Sequence, residues 1–175
     1  MRTLIGNSEI KSMITYEDIK NAAVESDQKI LDCLVRFRKI GINFVNAYID
    51  SLQMKGKETF VNFSGEEQKI VCVGLIEDNT FREKFIKSIS LSDDFKMHFY
   101  VRTIVNASNL TAPWIAIKCV IFREEDREFI EIMSVEETSS KICRILDVNT
   151  LDSYADASEA LKANVLNAIR SSTPF

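Results

Sequence analysis

The sequence contains little of the chemistry on which most enzymes depend. It has a single histidine, His98, and its four cysteines, Cys33, Cys72, Cys119 and Cys143, are widely spaced among apolar neighbours. One histidine is too few for most metal sites and makes any Ser-His-Asp triad depend on His98. The cysteine spacing predicts reduced core residues, with neither a disulfide framework nor a bound metal.

Glycine and proline are also scarce, with five and two residues among 175. The sequence contains no phosphate-binding loop, dinucleotide-binding fingerprint, metalloprotease motif, nucleophile elbow or calcium loop. These absences predict no cofactor and favour a protein that is not an enzyme.

The chain lacks both a long apolar run and an excess of positive charge. No segment approaches the roughly 20 apolar residues of a membrane span, and the N-terminus lacks the apolar core of a signal peptide. The net charge of −4 disfavours nucleic-acid and membrane partners, since both attract positive fields. The one basic cluster, Arg36, Arg38 and Lys39, is interpreted as a solvated helix face. We expect a cytoplasmic protein.

What the sequence does contain is most distinct in residues 95–135, which predict three consecutive antiparallel strands. The first, 95–105, alternates apolar with polar residues, the period-two pattern of a strand with one buried face. The second, 114–122, and the third, 129–135, are rich in isoleucine, valine and phenylalanine. An antiparallel sheet is therefore expected at the centre of the fold.

Strand pairing decides which side chains share a face, because residues opposite each other project the same way. We expect the third strand to fold back about a turn at Glu124-Glu125. The predicted buried face then contains Phe99, Val101, Ile115, Ile117, Cys119, Phe129, Glu131 and Met133. An unpaired buried carboxylate is costly, so Glu131 is interpreted as paired, as lying at a sheet edge, or as an acid that lines a cavity.

The opposite face carries the main candidate binding residues, which are His98, Tyr100, Arg102, Trp114 and Lys118. Such a mixture of aromatic and cationic side chains is typical of protein contact surfaces. The alternative is an ordinary solvated face. We expect the Arg102 guanidinium to rest on the Trp114 indole.

Helical periodicity flanks the strands. A capping box at Thr15-Asp18 predicts a helix start, and apolar residues at spacings of three and four continue from Ser26 to Met54. A second apolar stripe on this helix is wider than one sheet contact needs, which predicts self-association or an obligate partner. A second capping box at Ser153-Asp156 predicts the closing helix.

The remaining segments predict further strands. Residues 59–63 and 69–76 read as a hairpin, and 141–148 reads as the last strand. Residues 81–89 predict a short helix capped by Asp78-Asn79-Thr80, with a strand as the alternative.

These patterns predict an α+β fold: an antiparallel sheet of about six strands, flat or strongly curved, packed on a long N-terminal helix, with a C-terminal helix. Residues 1–175 are expected to form one domain, in which 1–14 make an arm or an edge strand and 171–175 a frayed tail.

The predicted function is protein binding, by an adaptor, chaperone-like or inhibitor/immunity-type protein that masks a partner. The alternative is a small-molecule binder or enzyme of the cone-like α+β type, with a small hydrophobic ligand in a cavity between a curved sheet and the long helix.

Overall fold

The structure is a computed structural model that describes residues 14–62, 64–105 and 113–172. The chain divides into two compact units, residues up to Cys33 and residues from Leu34 onward. Each unit is described by itself, and the single domain over 1–175 stays a prediction.

Several predicted features fall outside the described residues. These are the arm or edge strand at 1–13, the turn at 106–111 and the end of the tail at 173–175. Residues 171 and 172, predicted as part of the frayed tail, instead complete the C-terminal helix.

The first helix, α1, runs without interruption over Tyr16–Ser51. Its start is the predicted capping box. The Thr15 backbone N–H donates to Asp18 Oδ2 at 2.8 Å, and the Asp18 N–H donates to Thr15 Oγ1 at 3.2 Å. Hydrogen bonds from Thr15 lower the pKa of Asp18 and satisfy backbone groups that a helix start leaves unpaired.

In the unit that ends at Cys33, the described residues belong to the start of α1. Every residue from Ile14 to Asp32 is exposed, including the apolar side chains of Ile19 and Val24. Here the capping box and the helical spacing of the sequence are therefore the main determinants of the helix.

The unit from Leu34 onward is built on an antiparallel sheet. A small hairpin pairs β1 (Thr59–Val61) with β2 (Glu67–Lys69). The main sheet has six strands in the spatial order β4-β3-β5-β6-β7-β8, which does not close. Its strands are β3 (Val71–Glu77), β4 (Thr80–Glu83), β5 (Met97–Ile104), β6 (Trp114–Glu124), β7 (Arg127–Met133) and β8 (Ser140–Ile145). The predicted α+β fold and six-stranded antiparallel sheet are confirmed.

One face of this sheet, the inner face, carries the core. Phe44 of α1 packs edge-on against Phe99 of β5 with ring centroids 6.5 Å apart. Tyr48 shares a buried hydrogen bond of 2.9 Å with Thr103. The second half of α1 therefore lies on the face that carries Phe99 and Thr103.

The C-terminal helix, α2 (Ala155–Ser172), lies against β6, β7 and β8. It covers the inner face too, because Ile130 and Ile132 of β7 are fully buried there, whereas Ile142 on the opposite face of β8 is 56% exposed. One-turn helices at Ile86–Ser88 and Leu151–Tyr154 complete the described elements. The result is two layers, helices on one side and an open sheet face on the other.

The three basic residues of α1 connect the helix to other elements. Arg36 pairs with the buried carboxylate of Glu128 on β7. Arg38 donates to the carbonyl oxygen of Ile89 at 3.1 Å, and Lys39 donates to Asn149 Oδ1 at 2.6 Å. The interpretation of this cluster as a plain solvated face is therefore incomplete, since each cation also binds a distant part of the chain.

The turn between β6 and β7 differs from the prediction by one residue. Glu124 pairs with Arg127, and the two turn residues, Glu125 and Asp126, have φ values of 46° and 61°. This is the two-residue turn whose twist matches that of the flanking strands. The predicted turn at Glu124-Glu125 is wrong.

A shift of one residue moves every side chain of a strand to the other face. Ile130 and Ile132 occupy the inner face of β7, and Phe129, Glu131 and Met133 lie on the outer face. The predicted buried position of these last three residues is therefore wrong, while the predicted pairing of β5 with β6 is confirmed.

The segment after β3 also departs from the prediction. Asp78 and Asn79 have φ values of 50° and 58° and form a hairpin turn instead of capping a helix. Residues 80–83 continue as β4, so the alternative of a strand is correct there and the predicted helix over 81–89 shrinks to one turn. Aspartate and asparagine favour both structures, because their side chains suit caps as well as tight turns.

The predicted hairpin of 59–63 with 69–76 is also only partly right. The second predicted strand is interrupted at Ile70, so that its start belongs to β2 and the rest forms β3. The small hairpin therefore pairs β1 with β2, and β3 joins the main sheet between β4 and β5.

Candidate functional site

The outer face of the six-stranded sheet is the candidate functional site. Both helices of the larger unit lie on the other side of the sheet, and the part of the chain that the structure describes places no helix here. Four of the five predicted binding residues, His98, Tyr100, Arg102 and Lys118, are half-buried on this face, and Trp114 is 48% exposed.

The register of β5 with β6 brings these residues together. Tyr100 lies opposite Lys118, and Trp114 lies opposite Ile104, one step diagonal from Arg102. His98 lies opposite Val120, which its neighbours bury. The prediction that the five side chains share one face is confirmed, and their role in binding stays a prediction.

Arg102, Phe81 and Trp114 form what we call the aromatic cluster. Arg102 Cζ lies 4.8 Å from the centroid of the Phe81 ring, and that ring lies 6.0 Å from the indole of Trp114 at an angle of 49°. The expected stacking of Arg102 on Trp114 is therefore wrong, because Phe81 of β4 supplies the ring on which the guanidinium rests. A cation over an aromatic ring stabilises both side chains in place.

The Arg102 guanidinium has unused hydrogen-bonding capacity. Its Nη2 donates to the sulfur of Cys72 at 3.2 Å, a weak acceptor, while its buried Nε has no acceptor within the described ranges. No carboxylate of the described chain lies within ion-pair distance of it. Burial raises the pKa of the Cys72 thiol, and Arg102 opposes that rise. A charged, positioned donor group is thus left incompletely satisfied.

Tyr100, Lys118 and Glu137 form a second group, the Glu137 cluster. The Tyr100 hydroxyl donates to Glu137 Oε1 at 3.0 Å, and Lys118 Nζ binds Oε2 at 2.9 Å. Lys118 holds the pKa of Glu137 below its usual value, and burial, with Glu137 nearby, raises the pKa of Tyr100 to about 12. Tyr100 therefore stays protonated at neutral pH.

His98 lies beside this second cluster. Burial lowers its pKa, Lys118 and Lys96 lower it further, and Asp94, with a carboxylate oxygen 3.9 Å away, and Glu131 oppose the shift. The neutral imidazole is therefore favoured in the folded protein. It is also separated from the nearest strand cysteine, because Cys119 is buried on the inner face, so the two cannot act as a catalytic pair.

The pKa shift of His98 predicts how stability changes with pH. The unfolded chain binds a proton near pH 6.5 and the folded chain only at lower pH, so this contribution is complete above about 6.5 and is lost as the pH falls. We expect wild type to lose more stability than His98→Gln between about pH 7 and pH 5.5. Urea unfolding at both pH values measures the difference, and equal losses in the two proteins would contradict the assignment.

Glu131 is not a buried acid. It lies on the outer face opposite Val120, and the Ser140 hydroxyl donates to its Oε1 at 2.5 Å. It is also not among the residues that line the large cavity of this unit, which lies on the inner side.

A further apolar area continues the outer face towards β8. Phe122 of β6 stacks on Phe129 of β7 with centroids 5.3 Å apart at 19°, and Lys96 Nζ lies 5.8 Å from the centroid of the Phe122 ring. Ile142 adds an exposed aliphatic side chain. The outer face therefore combines two aromatic areas with the charged Glu137 cluster.

Sequence reasoning missed three of these residues. Phe81 was placed in a helix, Phe129 on the wrong face, and Glu137 in a connection with no assigned role. The two-residue spacing of Asp78-Asn79 between two strand-like runs was a signal for Phe81. No local signal identifies Glu137, because its partners lie on strands distant in sequence.

Comparison with protein-family models, with curated proteins and with solved structures finds no significant match. None of the helices in the described part of the chain combines the length and apolar character that a membrane crossing requires. Within the same residues, no three His, Cys, Asp or Glu side chains are grouped so that they could hold a metal ion.

Proposed function

We propose that this protein is a non-enzymatic protein-binding module and that it masks a partner through the outer face of its sheet. The observation that carries the proposal is the aromatic cluster, in which a half-exposed tryptophan adjoins an arginine that is held in place but lacks a carboxylate partner among the described residues.

The energetics of protein interfaces support this proposal. Tryptophan, tyrosine and arginine dominate binding energy because they offer large contact areas together with directional donors. Contacts that already hold a side chain in one conformation reduce the entropy lost on binding. Arg102 is held by Phe81 and Cys72, and Tyr100 by Glu137. Much of the ordering cost is therefore met before a partner arrives.

The cluster also suggests the chemistry of the partner. A carboxylate is the natural acceptor for a guanidinium with unused donors, and the Trp114 surface suits an apolar side chain. The expected partner is a protein that presents an acidic residue beside an exposed apolar one. We place this partner in the cytoplasm, since four cysteines outside any disulfide suit a reducing compartment. Self-association through the same face is the competing arrangement.

The test compares partner capture by matched variants. Wild type, Arg102→Ala and Trp114→Ala are immobilised and exposed to extract from cells of its origin, and captured proteins are quantified. Each variant is expected to reduce retention of the wild-type partner about tenfold or more, the effect of a hot-spot residue. The control is Leu166→Ala, which truncates a similarly exposed apolar side chain on α2, away from the outer face.

Melting of each variant separates binding from folding. Trp114 is half-exposed, so its loss is expected to cost only about 1 kcal/mol, mainly through the lost Phe81 contact. Undiminished capture by both outer-face variants would exclude this face as the binding site. A mass of twice 20.0 kDa for wild type and one of 20.0 kDa for Trp114→Ala would instead identify a second copy as the occupant.

A further inference from the structure

A cavity of about 720 Å³ lies on the inner side of the sheet, away from the outer face. Ile42, Val45 and Ile49 of α1 form one wall, and Val71 and Val73 of β3 form the other. These helix residues belong to the second apolar stripe, which the sequence predicted to be wider than one sheet contact requires. Part of that stripe thus faces an open space and not a core.

The course of the chain after β4 creates this space. The Lys84 N–H donates to the Val73 carbonyl oxygen at 2.9 Å, and the chain then leaves the sheet and crosses to α1. Ile86 packs there against Gly41, and Arg38 fixes the end of the crossing by donating to the Ile89 carbonyl. The crossing segment holds the helix at a distance from the start of β3, so the cavity is a built part of the fold.

The charged side chains of the cavity are not balanced. They are Glu58, Lys69, Glu83, Lys84 and Lys87. Lys84 is bound by Glu77 at 2.8 Å, and Glu83 lies beside the Cys72 thiol, whose pKa it helps to raise. Lys69 and Lys87 have no carboxylate partner among the described residues. On a protein of net charge −4, two cations without a counterion at one apolar cavity favour an anion.

We propose that this cavity binds an amphipathic anion, with a hydrocarbon chain between α1 and β3 and a carboxylate at Lys69 and Lys87. The volume is within the range of roughly 300–1,000 Å³ that is usual for small-molecule sites, and such sites combine apolar walls with a few polar groups. An ammonium–carboxylate pair beside an apolar wall is stronger than the same pair in open water. Phe85, 79% exposed and part of the lining, adds apolar surface. This proposal does not depend on the proposed protein partner.

The test uses decanoate as the probe and the full chain as the protein. Calorimetric titration is expected to show saturable one-to-one binding, with 1-decanol, which lacks the charge, bound about tenfold more weakly. Ile49→Trp fills the cavity and is expected to abolish binding of both probes. Its control is Ile142→Trp, which places the same side chain at an exposed position of the outer face.

A second pair of variants tests the head group. Lys69→Gln with Lys87→Gln is expected to weaken decanoate about tenfold and to leave 1-decanol unchanged. Lys141→Gln, at an exposed position on β8, is expected to change neither. Circular dichroism and melting confirm that each variant is folded.

Three results would overturn the proposal. They are the absence of saturable decanoate binding by wild type, binding by folded Ile49→Trp equal to that by Ile142→Trp, and equal affinities for decanoate and 1-decanol. Because the cavity and the outer face lie on opposite sides of the sheet, Trp114→Ala should bind decanoate normally. Failure here would therefore leave the proposed protein-binding function intact.

Discussion

Replacing Arg36 with leucine is expected to lower the free energy of unfolding by about 3 kcal/mol. The residue binds the carboxylate of Glu128, which is 5% exposed and has no other ion-pair partner among the described residues. This contact is also the main cause of the raised pKa of Arg36. Removing the cation leaves a buried charge unpaired, which costs far more than the loss of a surface ion pair. Urea denaturation measures the change.

Two variants separate this cause from a general effect of losing arginine. Arg123 pairs with the exposed Asp126 at 3.0 Å, so Arg123→Leu is expected to cost less than about 1 kcal/mol. Changing Arg36 and Glu128 together to leucine is expected to recover most of the lost stability, since no buried charge remains. Equal costs for Arg36→Leu and Arg123→Leu would show that Glu128 is not effectively buried.

Gly74→Ala is expected to cost about 3 kcal/mol, a large effect for one methyl group. A Cβ at this position would lie 2.2 Å from the carbonyl oxygen of Arg82 and 2.7 Å from Cζ of Phe81. The first contact is with the backbone of the paired strand, which cannot move without breaking the β3–β4 pairing. The second would displace Phe81, on which Arg102 rests, so partner capture should fall as well.

Gly41→Ala provides the matched control. A Cβ there would lie 3.1 Å from Ile86 Cγ2 and 3.1 Å from Met97 Cε. Both atoms are ends of flexible side chains, and alanine gains about 1 kcal/mol over glycine in a helix interior. We expect a net change within about 1 kcal/mol. Thermal or urea melts compare the two variants, and a larger loss for Gly41→Ala than for Gly74→Ala would contradict this account of the β3–β4 pairing.

The sequence predicted the parts of the fold that local patterns determine. The alternation in β5 identified its faces, and the cap at Thr15-Asp18 located the start of α1. With β6 also recognised, His98, Tyr100 and Trp114 could be placed on one face before their contacts were known. These features depend on periodicity and on neighbours within one turn or one strand.

The errors arose where two local structures compete. Either pair of residues in the acidic turn of Glu124, Glu125 and Asp126 can make the reversal, and a difference of one residue decided the face of Glu131. Asp78 and Asn79 likewise suit a cap or a turn. The cavity was beyond prediction for another reason, because it depends on where the segment after β4 crosses to α1, a tertiary contact without a local signature.

Site-directed photo-crosslinking tests the central claim, that the outer face binds a protein, most directly. A benzophenone amino acid is placed at Trp114 in one protein and at Leu166, on α2, in another, and both are irradiated in cells of its origin. The account predicts a discrete crosslinked partner from position 114 that is lost when Arg102→Ala is added, and none from position 166. Crosslinking from position 166 alone, or a product from position 114 that persists with Arg102→Ala, would contradict it.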